Sequence, residues 1–537
     1  MKKSFYSKLI ALGSIILLPM SCINNDDLLN NPNSIPESGI VPPTLILNRI
    51  TSHLVMPEEF FFDQAHRQNQ YFVSNYSYYW GTNFYNWTNS ENQYSLLLYA
   101  NRLEEQNEKS TNANDKAYYA ALSKFFKAYS FIWLSQRVGD IPMKEAGDSK
   151  NLRPKYDTQE EVYVHSLQLL EEANELLNNL PVEIQNRVAD ASGDIFHLTY
   201  LQWQKVINSF HLRTLISLSK RADDTPELKV KETFAKIINN PQDYPLQGSN
   251  KDNMSYVFNQ DHNPNPIFRK RAYTYGANIS KTILDLTTSS LDPRTYAFAT
   301  PAPAKYNTEG LDVADFKAYV GVSTNTGQAE IFATTDTEGI ATNDRGPYSY
   351  MNYKRYLSSQ DGSNSEPYTV IGYSELCFNI AEAINRGWIS GDANQWYLNG
   401  IKESLELFGL KDGQSFSIGD RTGGDLGEVN INVDQFLNHK NVAYKGNNSQ
   451  GLEQIIQQKY IAFFCNSGFE AFYNWRRTGF PKFEEGGVGI GTATNKIPLR
   501  WMYPQGEITY NSENYLQAIQ RQYNGSDGTF DKMWLIK

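Results

Sequence analysis

NDKAYYAALSKFFKAYSFIWLSQRVG, residues 114–139, and TQEEVYVHSLQLLEEANELLNNLP, residues 158–181, decide the fold class. In the first stretch Tyr118, Leu122, Phe125, Tyr129 and Ile132 recur three and four residues apart, so a helix gathers them on one apolar face. Gly139 ends that helix and Pro142 confirms the exit. In the second stretch Thr158 and Glu161 have the spacing of a capping box, in which each side chain satisfies an exposed backbone N–H. Tyr163, Leu167, Leu170, Ala173, Leu177 and Leu180 form the stripe, and Pro181 closes it. Two amphipathic helices joined by a short connection are expected to pack as a hairpin.

The pattern recurs outward from this pair. Tyr200–Lys220, with Trp203, Ile207 and Phe210, is expected to be a third helix. Ser374–Arg386, closed by Gly387, and Asn394–Phe408, with Tyr397, Ile401, Leu405 and Phe408 on one face, form a second hairpin; Gly451–Cys465 follows. Between 223 and 370 periodicity fades and Pro, Gly, Asn, Ser and Thr rise, which predicts long loops with short strands and helices. After Gly468 the chain is punctuated by Gly and Pro and is expected to be mostly irregular. The fold class is therefore mostly α. One domain is expected over 44–537: a helical scaffold at 44–222 and 371–470, a loop-rich insert at 223–370 and an irregular part at 471–537.

The N-terminus carries a different message. Lys2, Lys3 and Lys8 precede the apolar run Leu9–Met20, and small Ser21 precedes Cys22, the layout of a secretory signal peptide over 1–21. The apolar run is too short for a span, which needs about 20 residues. Cys22 resembles the lipidated cysteine of a bacterial lipobox, although Pro19 and Met20 depart from its usual residues. Lipid attachment at Cys22 and an Asn/Pro/Ser-rich tether over 22–43 are expected. Asp26 and Asp27 resemble the acidic signal of surface-exposed lipoproteins. The formal net charge of −10 becomes −13 once Lys2, Lys3 and Lys8 are removed. That argues against nucleic acid, whose binding rests on Lys and Arg neutralising phosphates. If Cys22 is acylated, Cys377 and Cys465 remain, both in apolar contexts that suit buried free thiols.

Aromatic residues are the compositional outlier: 35 Tyr, 28 Phe and 9 Trp in 537 residues. They are densest in YFVSNYSYYWGTNFYNW, residues 71–87, with Asn75, Asn83 and Asn86 interleaved. Ring faces stack on apolar ligand faces, and side-chain amides donate to and accept from hydroxyls. The candidate ligand residues are Tyr76, Tyr79, Trp80, Asn83, Tyr85 and Trp87, with a second cluster at Tyr273 and Tyr275 beside Arg269 and Arg271. A third is Tyr348, Tyr350, Tyr353 and Tyr356. Burial in the core is the competing reading for all of them.

Catalytic signatures are absent from the sequence: no H-E-x-x-H, G-x-S-x-G, Walker loop or C-x-x-C occurs. The histidines lack metal-ligand spacing, so no cofactor or metal is expected. The acidic pairs Glu58-Glu59 and Glu171-Glu172 read as solvated. Gly486–Gly491 (GGVGIG) fails as a dinucleotide fingerprint because Thr492 stands at the third glycine's place, and reads as a flexible loop. Trp475-Arg476-Arg477 reads as architecture, its arginines pairing with carboxylates or helix-end carbonyls rather than clamping an anion.

Eight segments, in order, resemble the SusD/RagB family, and within it the SusD-like second branch. They are NNPNSIPE (30–37), QRVGDIP (136–142) with PKYDTQEEVY (154–163), the segment 192–213 ending in Asn208-Ser209-x-x-x-Arg213, LDPR (291–294), YSELCFNIAEAINRGW (373–388), FEAFYNWRRTGFP (469–481), IPLRWMYPQGE (497–507) and NSENY (511–515). The resemblance implies tetratricopeptide-like hairpins with a loop-rich half packed against them. It also implies a lipid-anchored, non-catalytic outer-membrane protein that captures a glycan, or in some relatives a peptide, for a SusC-like TonB-dependent transporter barrel. A surface glycoside hydrolase and a purely structural lipoprotein are the rival readings.

Overall fold

The computed structural model describes residues 39–75, 81–91, 93–148, 150–259, 263, 265, 277–335, 346–357, 366–420 and 423–537. The signal segment, Cys22 and most of the tether lie outside the described residues. Helices of eight residues or more are α1 (Pro43–Ser52), α2 (Tyr94–Asn107), α3 (Ala113–Val138), α4 (Gln159–Asn178), α5 (Tyr200–Ser217), α6 (Val230–Asn239), α7 (Lys281–Thr288), α8 (Gln328–Thr335), α9 (Tyr373–Asn385), α10 (Ala393–Leu407), α11 (Ser449–Ala462), α12 (Glu470–Thr478) and α13 (Ser512–Tyr523). Strands are short: β1 (Phe72–Ser74), β2 (Met254–Tyr256), β3 (Ala277–Ile279), β4 (Tyr368–Ile371), β5 (Ser415–Gly419) and β6 (Asp425–Asn430). They pair antiparallel as β1–β3, β2–β4 and β5–β6.

The helix boundaries follow from their caps. Asn112 opens α3 by accepting the N–H groups of Asn114 and Asp115, and Gly139 closes it at φ +97°, a left-handed region that a side chain disfavours. Gly139 is also tightly approached: a Cβ there would lie 2.1 Å from the Gln522 amide oxygen. Thr158 and Glu161 form the capping box, with Glu161 N–H donating to Thr158 Oγ1 at 3.2 Å and Thr158 N–H to Glu161 Oε2 at 3.0 Å. Thr199 and Gln202 repeat the device at the start of α5.

Each of α2 to α5 packs on the next, while α9 packs on both α10 and α11. The two sets meet where α5 crosses α9. One hydrophobic cluster runs from Ile46 to Ile536 and includes the fully buried Trp203, Phe378 and Phe464. The mostly helical class expected from periodicity is therefore the fold of the protein. After Gly468 the described chain contains three α-helices that the sequence reading did not expect, α12, Gln505–Tyr510 and α13; Tyr515, Ala518 and Ile519 give α13 its buried stripe. Among the described residues, no helix is long and apolar enough to cross a membrane.

Buried ion pairs lock these parts together, and they fall on the segments that resemble the SusD/RagB family. Arg213 of α5 holds Glu375 of α9, with Nε to Oε1 at 2.7 Å and a second bond from Nη2 to Oε2. Arg477 of α12 binds Glu382 of α9 through both terminal guanidinium nitrogens. Burial alone would raise the Glu382 carboxyl, but Arg477 and then Arg386 outweigh it and hold it at about 2. Arg476 donates to the carbonyls of Gln136 (2.9 Å) and Leu499 (2.8 Å). The architectural reading of 475–477 is thus what the contacts show. Asp292 and Arg294 form a fully buried pair, and Arg294 reaches Ser404 of α10 at 3.0 Å.

One acidic pair departs from its solvated reading. Glu59 is only 4% exposed and accepts from Trp133 Nε1 (3.0 Å) and Arg137 Nη2 (3.1 Å). The pair sits where the chain passes under α3, so one carboxylate of the two turns inward. Cys377 and Cys465 are free and buried.

Candidate functional site

The aromatic run divides by position. Along the extended segment 82–88, Asn83, Tyr85 and Trp87 are buried, while Thr82, Phe84, Asn86 and Thr88 are exposed. Extended backbone points successive side chains to opposite sides, which produces this alternation. Trp87 stacks on Trp501 at 3.7 Å between ring centroids and donates from Nε1 to Gln68 Oε1 at 3.0 Å. Tyr85 donates from its hydroxyl to the Gln68 carbonyl at 2.8 Å, and burial raises its pKa well above the ordinary tyrosine range. Asn83 exchanges two 2.8 Å hydrogen bonds with the Ser74 backbone, completing a strand-like pairing through its side-chain amide.

Asn83, Tyr85 and Trp87 therefore present neither ring face nor amide to solvent, which corrects their assignment as ligand contacts. Tyr76, Tyr79, Trp80, Tyr273 and Tyr275 lie outside the described residues. In the third cluster Tyr350, Tyr353 and Tyr356 are buried, Tyr356 meeting Phe62 edge-on at 5.1 Å. Tyr348 is half-buried against Val73, Val322 and Ile331.

The described flanks of the two outlying clusters converge. In the β1–β3 ribbon Ser74 stands opposite Ala277. The chain therefore leaves toward 76–80 and arrives from 273–275 at the same end of one ribbon. Asn75 Nδ2 donates to Asn278 Oδ1 across that end at 3.1 Å, and Asn278 forms a bridge with Tyr350. The described flanks Ser74 and Ala277 thus share one end of the ribbon, with Tyr350 beside Asn278.

Three exposed apolar side chains surround this place, none of them singled out by the sequence. Phe84 is 37% exposed, Phe332 36% and Val488 67%. Gln328, one helical turn before Phe332 on α8, donates to the carbonyls of Ser74 (3.0 Å) and Gly81 (3.1 Å). That bond fixes α8 against the ribbon end. Phe84 lies over Gly491, where a Cβ would come within 2.2 Å of the ring. Val488 lies beside Gly327 at the foot of α8.

The glycine-rich 486–491 stretch is the clamp that holds them. Gly489 N–H donates to the Asn325 carbonyl at 3.0 Å, Gly487 N–H to Asn325 Oδ1 at 3.3 Å, and Tyr85 N–H to the Ile490 carbonyl at 3.0 Å. A Cβ on Gly487 or Gly489 would lie 2.3 or 2.2 Å from backbone carbonyl oxygens of the 324–326 turn. This is a docked turn rather than a flexible loop; the glycines permit two backbones to touch. Glu484 anchors the same turn, accepting from Thr324 N–H at 2.8 Å and from the Ser323 and Thr324 hydroxyls.

The surface offers the rings of Phe84 and Phe332 and the aliphatic side chain of Val488. Among the described residues, no group of three or more His, Cys, Asp or Glu side chains is placed to hold a metal ion. Several carboxylates whose pKa burial raises, among them Glu59 and Glu470, belong to the buried joints between helices rather than to this surface.

No curated protein matches the sequence. Among solved structures, a SusD homologue from Bacteroides fragilis is 28% identical with a TM-score of 0.78, over 92% of this chain and 100% of that one. A second SusD homologue from the same organism is 28% identical with a TM-score of 0.72, over 92% and 99%. A chitin-binding protein, 21% identical with a TM-score of 0.67 over 92% and 100%, shares the fold. The SusD-like family model, described as starch-binding and associating with the outer membrane, matches residues 37–504, and the chain belongs to that family.

Proposed function

We propose that this protein is a non-catalytic glycan-capture protein of the outer membrane, anchored by lipid on Cys22 and facing the outside of the cell. It binds an oligosaccharide at the ribbon end and passes it to a SusC-like TonB-dependent transporter barrel. The observation that carries this reading is the cluster of exposed Phe84, Phe332 and Val488 at the point to which the 76–80 and 273–275 aromatic segments attach. An aromatic surface suits the C–H faces of sugar rings. Tyr76, Tyr79, Trp80, Tyr273 and Tyr275 would complete it. Family membership and the chitin-binding neighbour favour a glycan as the ligand.

Titration calorimetry of the mature chain against maltooligosaccharides, chitooligosaccharides and neutral peptides tests this, with chromatography of the mixtures after incubation. Saturable binding of at least one glycan series, with the glycan recovered intact, is expected. Binding of peptides alone, or cleavage of the glycan, would overturn the reading.

A further inference from the structure

A second surface, sharing no residue with the ribbon end, is built as a groove along α4. Its wider half, about 640 Å³, lies between α2, α3 and α4, and includes Leu97, Phe131, Met143 and Val164. Its narrower half, about 440 Å³, lies between α4, α5 and α6, and includes Leu167, His211 and Leu228. Val164, Gln168 and Glu227 line both halves, so the groove is continuous.

Three features define what fits. The first is an unsatisfied floor. His211 is 1% exposed, and neither of its ring nitrogens has a hydrogen-bond partner. A buried polar group left unpaired is costly, and such groups ordinarily find a partner. Burial lowers the His211 pKa to about 4, against the opposing pull of Glu171 and with the help of Lys236. The ring is therefore neutral at pH 7, and one nitrogen donates while the other accepts. That combination matches a peptide unit, which carries one N–H and one C=O.

The second is charge. Lys127, Lys144 and Lys236 are each neutralised by a neighbouring carboxylate. Among the described residues that line the groove, Glu160, Glu227 and Glu232 make no ion pair or side-chain hydrogen bond to another described residue, and of the lysines only Lys229 makes none. Five glutamates against four lysines in the lining leave the groove mildly acidic, with unpaired acids at its Glu227–Glu232 edge.

The third is shape and surface. From Glu160 to Glu171 the groove follows α4 for about 16 Å, at roughly 1.5 Å per residue. Five residues of extended peptide span about the same length. The aromatic ring in the lining, Phe131, is 4% exposed. The walls mix aliphatic with charged side chains, and no tyrosine or tryptophan is among the described lining residues.

We infer that the α4 groove binds an extended, basic peptide segment of a protein partner, with a backbone amide seated on His211 and cationic side chains against Glu227 and Glu232. This holds whether or not the ribbon end binds glycan.

Fluorescence anisotropy of the mature full-length chain tests it with two labelled hexapeptides, one alternating leucine with lysine and the other leucine with glutamate. The lysine peptide is expected to bind and the glutamate peptide not to. Charge reversal of two exposed rim residues, Glu227→Lys with Glu232→Lys, is expected to weaken the lysine peptide by tenfold or more and to admit the glutamate peptide. Val164→Trp, which fills the junction of the two halves, is expected to abolish binding at unchanged Tm. His211→Leu is expected to cost about fivefold to tenfold, the loss of one or two hydrogen bonds. No binding of the lysine peptide at millimolar concentration, or binding indifferent to the charge reversal and to Val164→Trp, would overturn the inference. If His211→Leu unfolds the chain, the two surface variants still decide.

Discussion

Along residues 82–88 the chain uses neighbouring aromatic residues in opposite ways. Tyr85 and Trp87 enter the core, where Trp87 stacks on Trp501 and lies edge-on to Phe472. Phe84, between Asn83 and Tyr85, stays outside over Gly491. The residue types are alike and the positions adjacent; only the phase of an extended backbone separates structure from surface. A high local density of rings is therefore no guide to which ring meets a ligand. What selects Phe84 is its place on the outward phase, next to the ribbon end and to Phe332.

The contrast can be broken from the inside first. Trp87→Ala removes a stacked, hydrogen-bonded indole that is 2% exposed, and a loss of about 3–5 kcal/mol in urea unfolding is expected. Glu382→Ala, at the joint between α9 and α12, is expected to cost about as much, because Arg477 and Arg386 would lose their shared buried partner. A Trp87→Ala loss below 1 kcal/mol would mean that the inward phase is not structural.

Acid acts next. His66 and His211 are buried, and burial lowers both to about 4. Between the ordinary value of 6.5 and 4, the unfolded chain then binds more protons than the folded one, so stability falls as pH falls through that window. Each histidine contributes up to about 3 kcal/mol, at 1.36 kcal/mol per pKa unit. The Tm of the unaltered chain relative to that of His211→Leu is expected to fall from pH 7 to pH 4, since buried carboxylates held high, such as Asp194, Glu59 and Glu470, act in the opposite sense but equally in both chains. A difference in Tm between the two chains that does not change across that window would contradict the burial of His211.

Gly489→Ala places a Cβ against the Thr324 carbonyl oxygen. A loss of about 1–3 kcal/mol is expected from the forced shift, together with weaker glycan binding, since the clamp carries Val488 and supports Phe84. Phe84→Ala should have the smallest effect on stability, within about 0.5 kcal/mol, and a large one on binding. If Phe84→Ala and Trp87→Ala destabilised equally, the two phases would not differ in kind.

The helical scaffold was legible because apolar spacing and burial coincide there: Tyr118, Leu122 and Phe125 recur with helical period and are all within 1% of full burial. Caps such as Thr158–Glu161 mark ends that the backbone obeys. The segments that resemble the family were legible for the same reason, and they proved to be joints: Arg213–Glu375, Arg477–Glu382 and Asp292–Arg294 are buried pairs whose chemistry fixes their identity. The ribbon end was not legible. It is assembled from β1, β3, α8 and the 486–491 turn, which are spread over more than 400 residues of the chain, and its period-two segment carries rings on both sides. Glu59 was misread because nothing local tells an acidic residue that Arg137 waits 78 positions away. The turn at 486–491 looked loose because glycine permits both freedom and close contact, and only the partner backbone at 324–326 distinguishes them.

The central claim is that the outward rings at the ribbon end hold a glycan without serving the fold. Calorimetry and thermal unfolding of the double variant Phe84→Ala with Phe332→Ala, against the best glycan for the unaltered chain, test it most directly. Affinity reduced at least tenfold at an unchanged Tm is the predicted result. Undiminished affinity, or a Tm that collapses with the binding, would contradict it.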